Sequence, residues 1–389
     1  MKAAITRSGM AVLIFGHVAG MVDMVALPLW VGTLMQTYRF EPQAAGLAVT
    51  LFLLAVALTA MALSSAFVRL PHKGLLTAFG FALAAGCFYW VSGIEADGNH
   101  HGTMMVLHAV AGIGIGMGLS MTHGAMGRTA NPHRMFAIAN TLLGVFAVGF
   151  WASMPKVVAT VGGHTIFLLF SGVMLLAALL AAMLFPRIDA PEPEQQTVMA
   201  RIPRAAWLAI GALVLLTINN AMITGFMERV GAERGFGADQ LALALLAFGL
   251  VNLFPGPLAA LFERRISPIA VAMVVPIAQA LIALVIFNTR DYTFYAVALA
   301  LCVAPALFGH IFLFGLVARL DPSGRATASN PAIVMIGSSI GPLLAGTLVQ
   351  TMGYSAVGTA AVVIAAFTMG AAYLIARGQR GQTPVRQEA

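Results

Sequence analysis

The sequence predicts an all-α polytopic membrane protein, on three grounds: its composition, its apolar runs and the distribution of its basic residues. Of 389 residues, 60% are hydrophobic and only 9% are charged, whereas soluble domains carry about 25% charged residues. The net charge of +7 would suggest nucleic acid in a soluble protein. Here basic loops on the cytoplasmic side of a membrane account for it, and no nucleic-acid partner is expected.

Twelve apolar runs follow one another along the chain, with short polar breaks between them. A hydrocarbon core of about 30 Å needs about 20 helical residues, so each run predicts one membrane-spanning helix, numbered here helix 1 to helix 12. The runs cover approximately residues 9–35, 42–68, 74–94, 103–126, 135–160, 165–185, 205–227, 238–262, 268–288, 293–318, 326–350 and 353–376.

The widest polar break divides the chain six plus six. Residues 187–204 are rich in proline and charge, and they predict a cytoplasmic linker between an N-terminal bundle (1–186) and a C-terminal bundle with a short tail (205–389). The loops echo each other: GRTANP at 127–132 corresponds to GRATASNP at 324–331. Equivalent loops indicate two pseudo-symmetric bundles, an arrangement that places substrate at the midplane between them.

Basic residues set the expected orientation. With the N-terminus inside, sixteen of the 21 lysines and arginines fall in cytoplasmic segments, four in outer segments, and Lys156 within helix 5. This positive-inside bias predicts that both termini are cytoplasmic. We therefore expect a multi-pass protein of the cytoplasmic (inner) membrane, for which a monomer suffices.

One carboxylate, Asp23, lies near the centre of the first apolar run, which contains no basic residue between 9 and 35. An ionised carboxylate there costs several kcal/mol, so it must be neutral, paired or facing water. Intramembrane acids are rare, and Asp23 is therefore interpreted as a proton or cation site. The alternative is a protonated aspartate that hydrogen-bonds a neighbouring helix.

Two loops carry degenerate copies of a gating motif. Arg69 and Lys73 follow helix 2, and Glu263 and Arg264 follow helix 8. These loops resemble the G-x-x-x-D-[RK]-x-G-[RK] motif of the major facilitator superfamily, whose members gate the cytoplasmic side through charge pairs. The motif's acid is missing after helix 2, where Val68 stands at its position.

Three membrane-embedded motifs extend the resemblance to nearly the whole chain, roughly residues 9–376. His108 occupies the arginine position of the R-x-x-x-G-x-G motif in helix 4 of proton-coupled members. Gly341-Pro342 in helix 11 resembles the Gly-Pro motif that exporters carry in helix 5, and Asp23 to Pro28 resembles the acid-to-ALP stretch of drug:proton antiporters. The resemblance implies transport by alternating access, with helices 1, 4, 7 and 10 lining the pathway. Arg69, Lys73, Glu263, Arg264, Gly341 and Pro342 are then the candidate gating residues.

His108 and Asp23 are the candidate proton-coupling residues, because imidazole titrates in the physiological range and an Asp–His pair can relay protons. The alternative for His108 is a histidine hydrogen-bonded near the interface. Lys156 either snorkels to the headgroups or faces the cavity, where it would bind an anionic substrate group or pair with Asp23. Asn219 and Asn220 lie in the middle of helix 7, where amides either join helices or bind polar substrate.

Four further residues are candidate substrate contacts: His310, Trp30, Trp151 and Asn252. The alternative for the tryptophans is membership of an interfacial belt. Glu228 and Arg229 end helix 7 at the outer face. They are interpreted as a solvated helix end, and the alternative is an outer gate that pairs with helix 1 or 2.

The chain lacks a P-loop and room for a nucleotide-binding domain, so transport would use an ion gradient or none. No metal site, cofactor or enzymatic nucleophile–base pair is evident at helical spacing. We predict a secondary transporter of a small organic solute, proton-coupled, with export favoured. The alternatives are uptake or exchange of a polar or anionic metabolite, and a non-transporting membrane receptor.

Overall fold

The structure is a computed structural model that describes residues 6–67, 69–187, 202–321 and 330–380. Within these ranges every regular element is an α-helix. Twelve helices are long and apolar enough to cross a membrane. The prediction of an all-α membrane protein with twelve spans is confirmed, because a chain in lipid must satisfy its backbone hydrogen bonds internally, and a helix does so within one segment.

Each observed helix overlaps its predicted run, and helices 1, 8 and 10 are each divided into two segments. In chain order the helices are Arg7–Gly20 with Val22–Gln36, Pro42–Ala66, Lys73–Ser92, His101–Met126, Pro132–Val161, His164–Leu184, Arg204–Glu233, Ala238–Val251 with Pro255–Phe262, Pro268–Asn288, Tyr292–Leu301 with Ala304–Leu320, Asn330–Met352 and Ser355–Arg380.

Helix 7 is longer than predicted. The charges at 228 and 229 ended the predicted run at residue 227, but the helix continues to Glu233. The reason is that Glu228 is buried, with 7% of its surface exposed, while Arg229 donates to Glu233 one turn later at 2.6 Å. A charged pair at i and i+4 supports a helix instead of ending it.

The breaks in helices 8 and 10 lie at prolines. The second segments start at Pro255 and one residue before Pro305, and a proline cannot donate the backbone hydrogen bond that would continue the helix. The break in helix 1 was not predicted. It falls at Met21, with φ −118° and ψ 8°, whereas Pro28 lies inside the continuous second segment.

The apolar core shows how the two halves meet. We call the end of the bundle at which the described chain begins the terminal end, and the end carrying the turns 37–41, 234–237 and 353–354 the far end. Toward the far end, one continuous cluster of buried side chains draws on helices of both halves. Toward the terminal end, each half packs its own separate cluster.

Two hydrogen bonds join helix 2 to helix 11 on the far-end side. The Thr50 hydroxyl donates to the Ser339 carbonyl at 2.5 Å, and the Gln43 amide donates to Gln350 Oε1 at 3.0 Å. Closer to the terminal end, Leu58 of helix 2 is 55% exposed. The halves are therefore closed against each other at the far end and separate toward the terminal end.

Several predicted segments lie outside the described residues. These include Val68, most of the linker (188–201), residues 322–329 of the second loop motif, and the tail from 381. The domain boundary at 187–204 therefore stays a prediction.

Candidate functional site

Asp23 lies immediately after the break in helix 1. It is the second residue of the segment Val22–Gln36, in the first turn of that segment. Free backbone amides and the helix dipole give the start of a helix a partial positive charge, which attracts anionic groups. The side chain is only 5% exposed, and its Oδ1 has no hydrogen-bond partner among the described residues. A polar atom in this state is costly, so Asp23 is suited to binding a proton or a ligand.

Helix 1 packs closely on both halves around Asp23. Before the break, a Cβ added at Gly20 would lie 2.5 Å from the Leu119 side chain of helix 4. Beyond Asp23, a Cβ at Gly32 would lie 2.4 Å from Glu228 Oε2 of helix 7. Glycine at both positions allows these close approaches. Asp23 is thus placed between a contact with its own half and a contact with the other half.

Glu228 is a second buried carboxylate, and it lies where the sequence favoured a solvated helix end over a gate facing helix 1 or 2. Its Oε2 has no hydrogen-bond partner among the described residues, and the side chain lies against Gly32. The interpretation of this end of helix 7 as solvated is therefore wrong for Glu228. Arg229 and Glu233 could have signalled a longer helix by their i, i+4 spacing, but no sequence feature indicates that Gly32 faces Glu228.

His108 is enclosed in an aromatic cluster. Its Nε2 accepts a hydrogen bond from Trp30 Nε1 at 3.1 Å, its Nδ1 contacts the Met104 carbonyl at 2.6 Å, and its ring stacks on Trp30 with centroids 5.4 Å apart. Phe88 and Phe167 contact the ring edge-on. Both nitrogens are satisfied and the residue is 0% exposed. This geometry favours the interpretation of His108 as a structural residue, with Trp30 as its partner instead of a substrate platform.

We expect His108→Gln to lower the melting temperature while leaving solute-driven proton flux close to wild type. The loss of two buried hydrogen bonds and one ring stack is worth roughly 1–3 kcal/mol. Thermal unfolding followed by tryptophan fluorescence would measure the stability, and a pH-sensitive dye in proteoliposomes would measure the flux. If the variant had normal stability but no proton flux, His108 would again be a candidate proton-coupling residue.

Trp151 lies at the contact between helices 5 and 8. It is 1% exposed, its ring lies edge-on to Phe248 at 5.9 Å, and a Cβ at Gly249 would lie 3.1 Å from it. Its place is between the halves, not in an interfacial belt. Lys156, five residues later on the same helix, is exposed, as expected for a lysine that snorkels.

The C-terminal half contributes four polar candidates. Asn219 is 1% exposed, and its Nδ2 lies 3.4 Å from Gln279 Oε1 of helix 9, so it joins two helices. Three others have a buried atom without a hydrogen-bond partner among the described residues: Asn220 Oδ1, Asn252 Oδ1 and His310 Nε2. Asn252 sits in the break of helix 8. These three atoms are available to a polar ligand.

The gating residues at the terminal end do not form charge pairs with one another. Lys73 and Arg128 instead lie over the ring of Phe67, at 5.0 and 4.3 Å from its centroid. Arg69 is exposed, as are Glu263 and Arg264 in the loop after helix 8. Phe67, which directly precedes the position of the motif's missing acid, thus contacts basic residues from the loops after helix 2 and helix 4.

Gly341 and Pro342 lie where helix 11 is held between helices 7 and 2. A Cβ at Gly341 would lie 2.6 Å from the Met222 amide nitrogen of helix 7. The Pro342 carbonyl faces Gly46 of helix 2, where a Cβ would lie 2.2 Å from the oxygen. Both are backbone contacts, so this pair sits at the closed contact of the far end.

A family model described as Major Facilitator Superfamily matches residues 12–328. The chain belongs to this superfamily. The resemblance drawn from the sequence motifs is therefore confirmed, and the findings support a secondary transporter with a small-molecule substrate, embedded in a lipid bilayer.

Solved structures of superfamily transporters share the fold. A variant of the nucleoside transporter NupG matches with a TM-score of 0.74 at 11% identity, covering 95% of this chain and 99% of that one. A bacterial homologue of the human lysosomal transporter Spinster, inward-facing and unoccupied, matches with a TM-score of 0.67 at 12% identity, covering 97% and 98%. No curated protein sequence matches the chain. At these identities the structures establish the fold alone.

The superfamily fold allows the two buried carboxylates to be compared by their positions in the two halves. Asp23 and Glu228 lie on helices 1 and 7, which occupy corresponding positions in the two halves and meet at Gly32. Among the described residues, no group of three or more histidine, cysteine, aspartate or glutamate side chains is arranged to hold a metal ion.

Proposed function

We propose that this protein is a proton-coupled secondary transporter of a small organic solute, with Asp23 as the proton-binding group. The observation that carries the proposal is the buried carboxylate of Asp23, whose Oδ1 has no partner among the described residues, at the break in helix 1. It is also the only carboxylate in helices 1 to 6. Burying an ionised carboxylate is costly, so proton binding and release are tied to whether the site is closed or open to water.

The arrangement of the two halves supports alternating access. The halves share one core toward the far end and have separate cores toward the terminal end, so water and solute reach the interface from the terminal end. We propose that the terminal end is cytoplasmic, on the distribution of basic residues. Rocking about the region of Asp23 would open the far end and expose the same groups to the other side.

Export in exchange for protons is the first candidate direction. It is supported by the stretch from Asp23 to Pro28, which resembles helix 1 of drug:proton antiporters. The exposure of Lys156 agrees with the snorkelling alternative, under which this lysine does not bind an anionic substrate.

The second candidate is uptake or exchange of a polar, uncharged solute. It is favoured by the unpartnered atoms of Asn220, Asn252 and His310 in the C-terminal half. A solute with hydroxyl and amide groups would satisfy them. The nucleoside transporter NupG shares the fold, so nucleosides are a reasonable first probe of this class.

The direction of proton movement distinguishes the two candidates. Purified protein is reconstituted into liposomes that contain a pH-sensitive dye, and ethidium, uridine or succinate is added outside. Solute entry with internal alkalinisation indicates antiport, and solute entry with internal acidification indicates symport. Protein-free liposomes and a protonophore are the controls. Solute entry without a pH change would reject proton coupling.

A further inference from the structure

Two buried histidines that the proposed coupling site does not use contact each other in the N-terminal half. His17 of helix 1 and His123 of helix 4 are 106 residues apart in sequence, and Nδ1 of His17 lies 2.9 Å from Nε2 of His123. Their ring centroids are 5.1 Å apart. At this distance one imidazole nitrogen donates a hydrogen bond to the other.

The two rings differ in their access to water. His17 is 3% exposed, and its Nε2 has no hydrogen-bond partner among the described residues. His123 is only partly buried and lies three residues from the end of helix 4 at Met126, on the terminal-end side. The pair therefore connects a solvent-accessible edge to an atom inside the bundle.

The surroundings of the pair contain no competing carboxylate. Phe136 of helix 5 packs edge-on against both rings, and Asn140 of the same helix lies beside His17. The basic groups on the elements around the pair are Arg128, whose guanidinium donates to the Gly124 carbonyl, and the exposed Arg7 and Arg134. Helix 6, which also packs on helix 1, has no ionisable group except His164 at its far end.

Asp23 is the carboxylate that a proton at this pair can reach. It lies six residues beyond His17 on helix 1, about 9 Å along the axis. The unpartnered nitrogen of His17 and the unpartnered oxygen of Asp23 are both on this helix. Six residues also place the two side chains about 120° apart around an ideal helix, and the break at Met21 lies between them, so the connection requires intervening water.

We infer that His17 and His123 form a proton relay between the terminal end and Asp23. The inference rests on the proposed role of Asp23 as the proton-binding group. When a proton from Asp23 binds Nε2 of His17, the Nδ1–H of that ring passes its proton to Nε2 of His123, and Nδ1 of His123 releases one proton to water. Each ring is neutral again, and the hydrogen bond between them now runs from His123 to His17. The pair is then set to carry a proton in the opposite direction.

The test follows protonation of Asp23 without any transported solute. The full-length protein in liposomes is subjected to a pH jump while infrared absorption is recorded, and the Asp23 carboxyl band is identified as the band missing in Asp23→Asn. We expect His17→Gln and His123→Gln to slow the appearance of this band by about tenfold or more, with its final amplitude unchanged. Added imidazole should restore the rate. His101→Gln, at a histidine that contacts the Tyr38 carbonyl at the far end, is the matched control and should behave as wild type.

Four results would overturn the relay. A wild-type rate in both variants would show that protons reach Asp23 by another route. A reduced final amplitude would mean that the histidines shape the surroundings of Asp23 and do not carry protons. A slowed rate that imidazole does not restore would mean the same. If the wild-type protein showed no Asp23 band, the proposed function itself would be overturned together with the relay. Failure of the relay alone differs, because the band would still appear in the wild-type protein. The two histidines lie on different helices. If one variant fails to fold, the other variant still tests the relay.

Discussion

Asp23→Asn is expected to abolish solute-driven proton movement, by about 100-fold or more, while the protein stays folded. Asparagine has nearly the same shape as aspartate but cannot bind or release a proton near neutral pH. The wild-type carboxylate is buried with one oxygen unpartnered, so the substitution removes a group that is costly to ionise and leaves the packing of helix 1 intact. Solute counterflow, which needs no net proton movement, should survive in this variant.

Dye-reported proton flux and radiolabelled solute counterflow, measured in the same proteoliposomes, check this expectation. The matched control is Asp97→Asn, because Asp97 lies exposed in the turn between helices 3 and 4. Its carboxylate accepts hydrogen bonds from Asn99, which lower its pKa. Unchanged proton flux in Asp23→Asn would assign Asp23 to packing, and Glu228, a buried carboxylate that faces helix 1, would become the next residue to test.

Gly46→Val is expected to reduce transport by about tenfold or more by preventing closure of the far end. The Cβ would lie 2.2 Å from the Pro342 carbonyl oxygen, and backbone atoms cannot rotate away as a flexible side chain can. Gly346→Val should have the same effect, since its Cβ would lie 2.3 Å from the Pro42 carbonyl oxygen. The separate cores of the two halves toward the terminal end do not depend on this contact, so both variants should fold.

A reporter cysteine at Ala345 would show whether the far end is open or closed. Ala345 is 0% exposed in the closed contact, so Ala345→Cys should react faster with a maleimide when Gly46→Val is also present. The two native cysteines, Cys87 and Cys302, are buried, and their reaction with the maleimide gives the background rate. Gly86→Val is the control, because a Cβ at Gly86 has nothing within 4 Å. Equal reactivity with and without Gly46→Val, or equal loss of transport in the control, would contradict the closure argument.

Asp23 and Glu228 show which site residues a sequence can reveal. Asp23 was predictable because it interrupts a long apolar run in which no basic residue could pair with it. For Glu228 the solvated alternative was favoured over a gate facing helix 1 or 2, because Glu228 adjoins Arg229 near the end of an apolar run, where charges are usually solvated. Its burial depends on Gly32, about 200 residues earlier, and no local pattern reports such a contact.

The histidines show the same limit. From the sequence, His108 resembled a coupling residue, and His17 and His123 were isolated histidines on different helices. In the structure His108 is satisfied by Trp30 and Met104, while the other two contact each other. The direction a side chain takes on a helix that is apolar all round cannot be obtained from periodicity, because there is no polar face to orient it.

The sequence by itself determined the twelve spans, the superfamily and the one acid within the apolar runs of the N-terminal half. These follow from apolar length and from the cost of a charge in lipid, which are properties of single segments. Only the tertiary structure decided that helix 1 breaks at Met21, that Glu228 is buried against Gly32, and that the halves are closed at the far end. These features depend on backbone approaches between helices distant in sequence, and glycine permits such approaches without specifying which neighbour makes them.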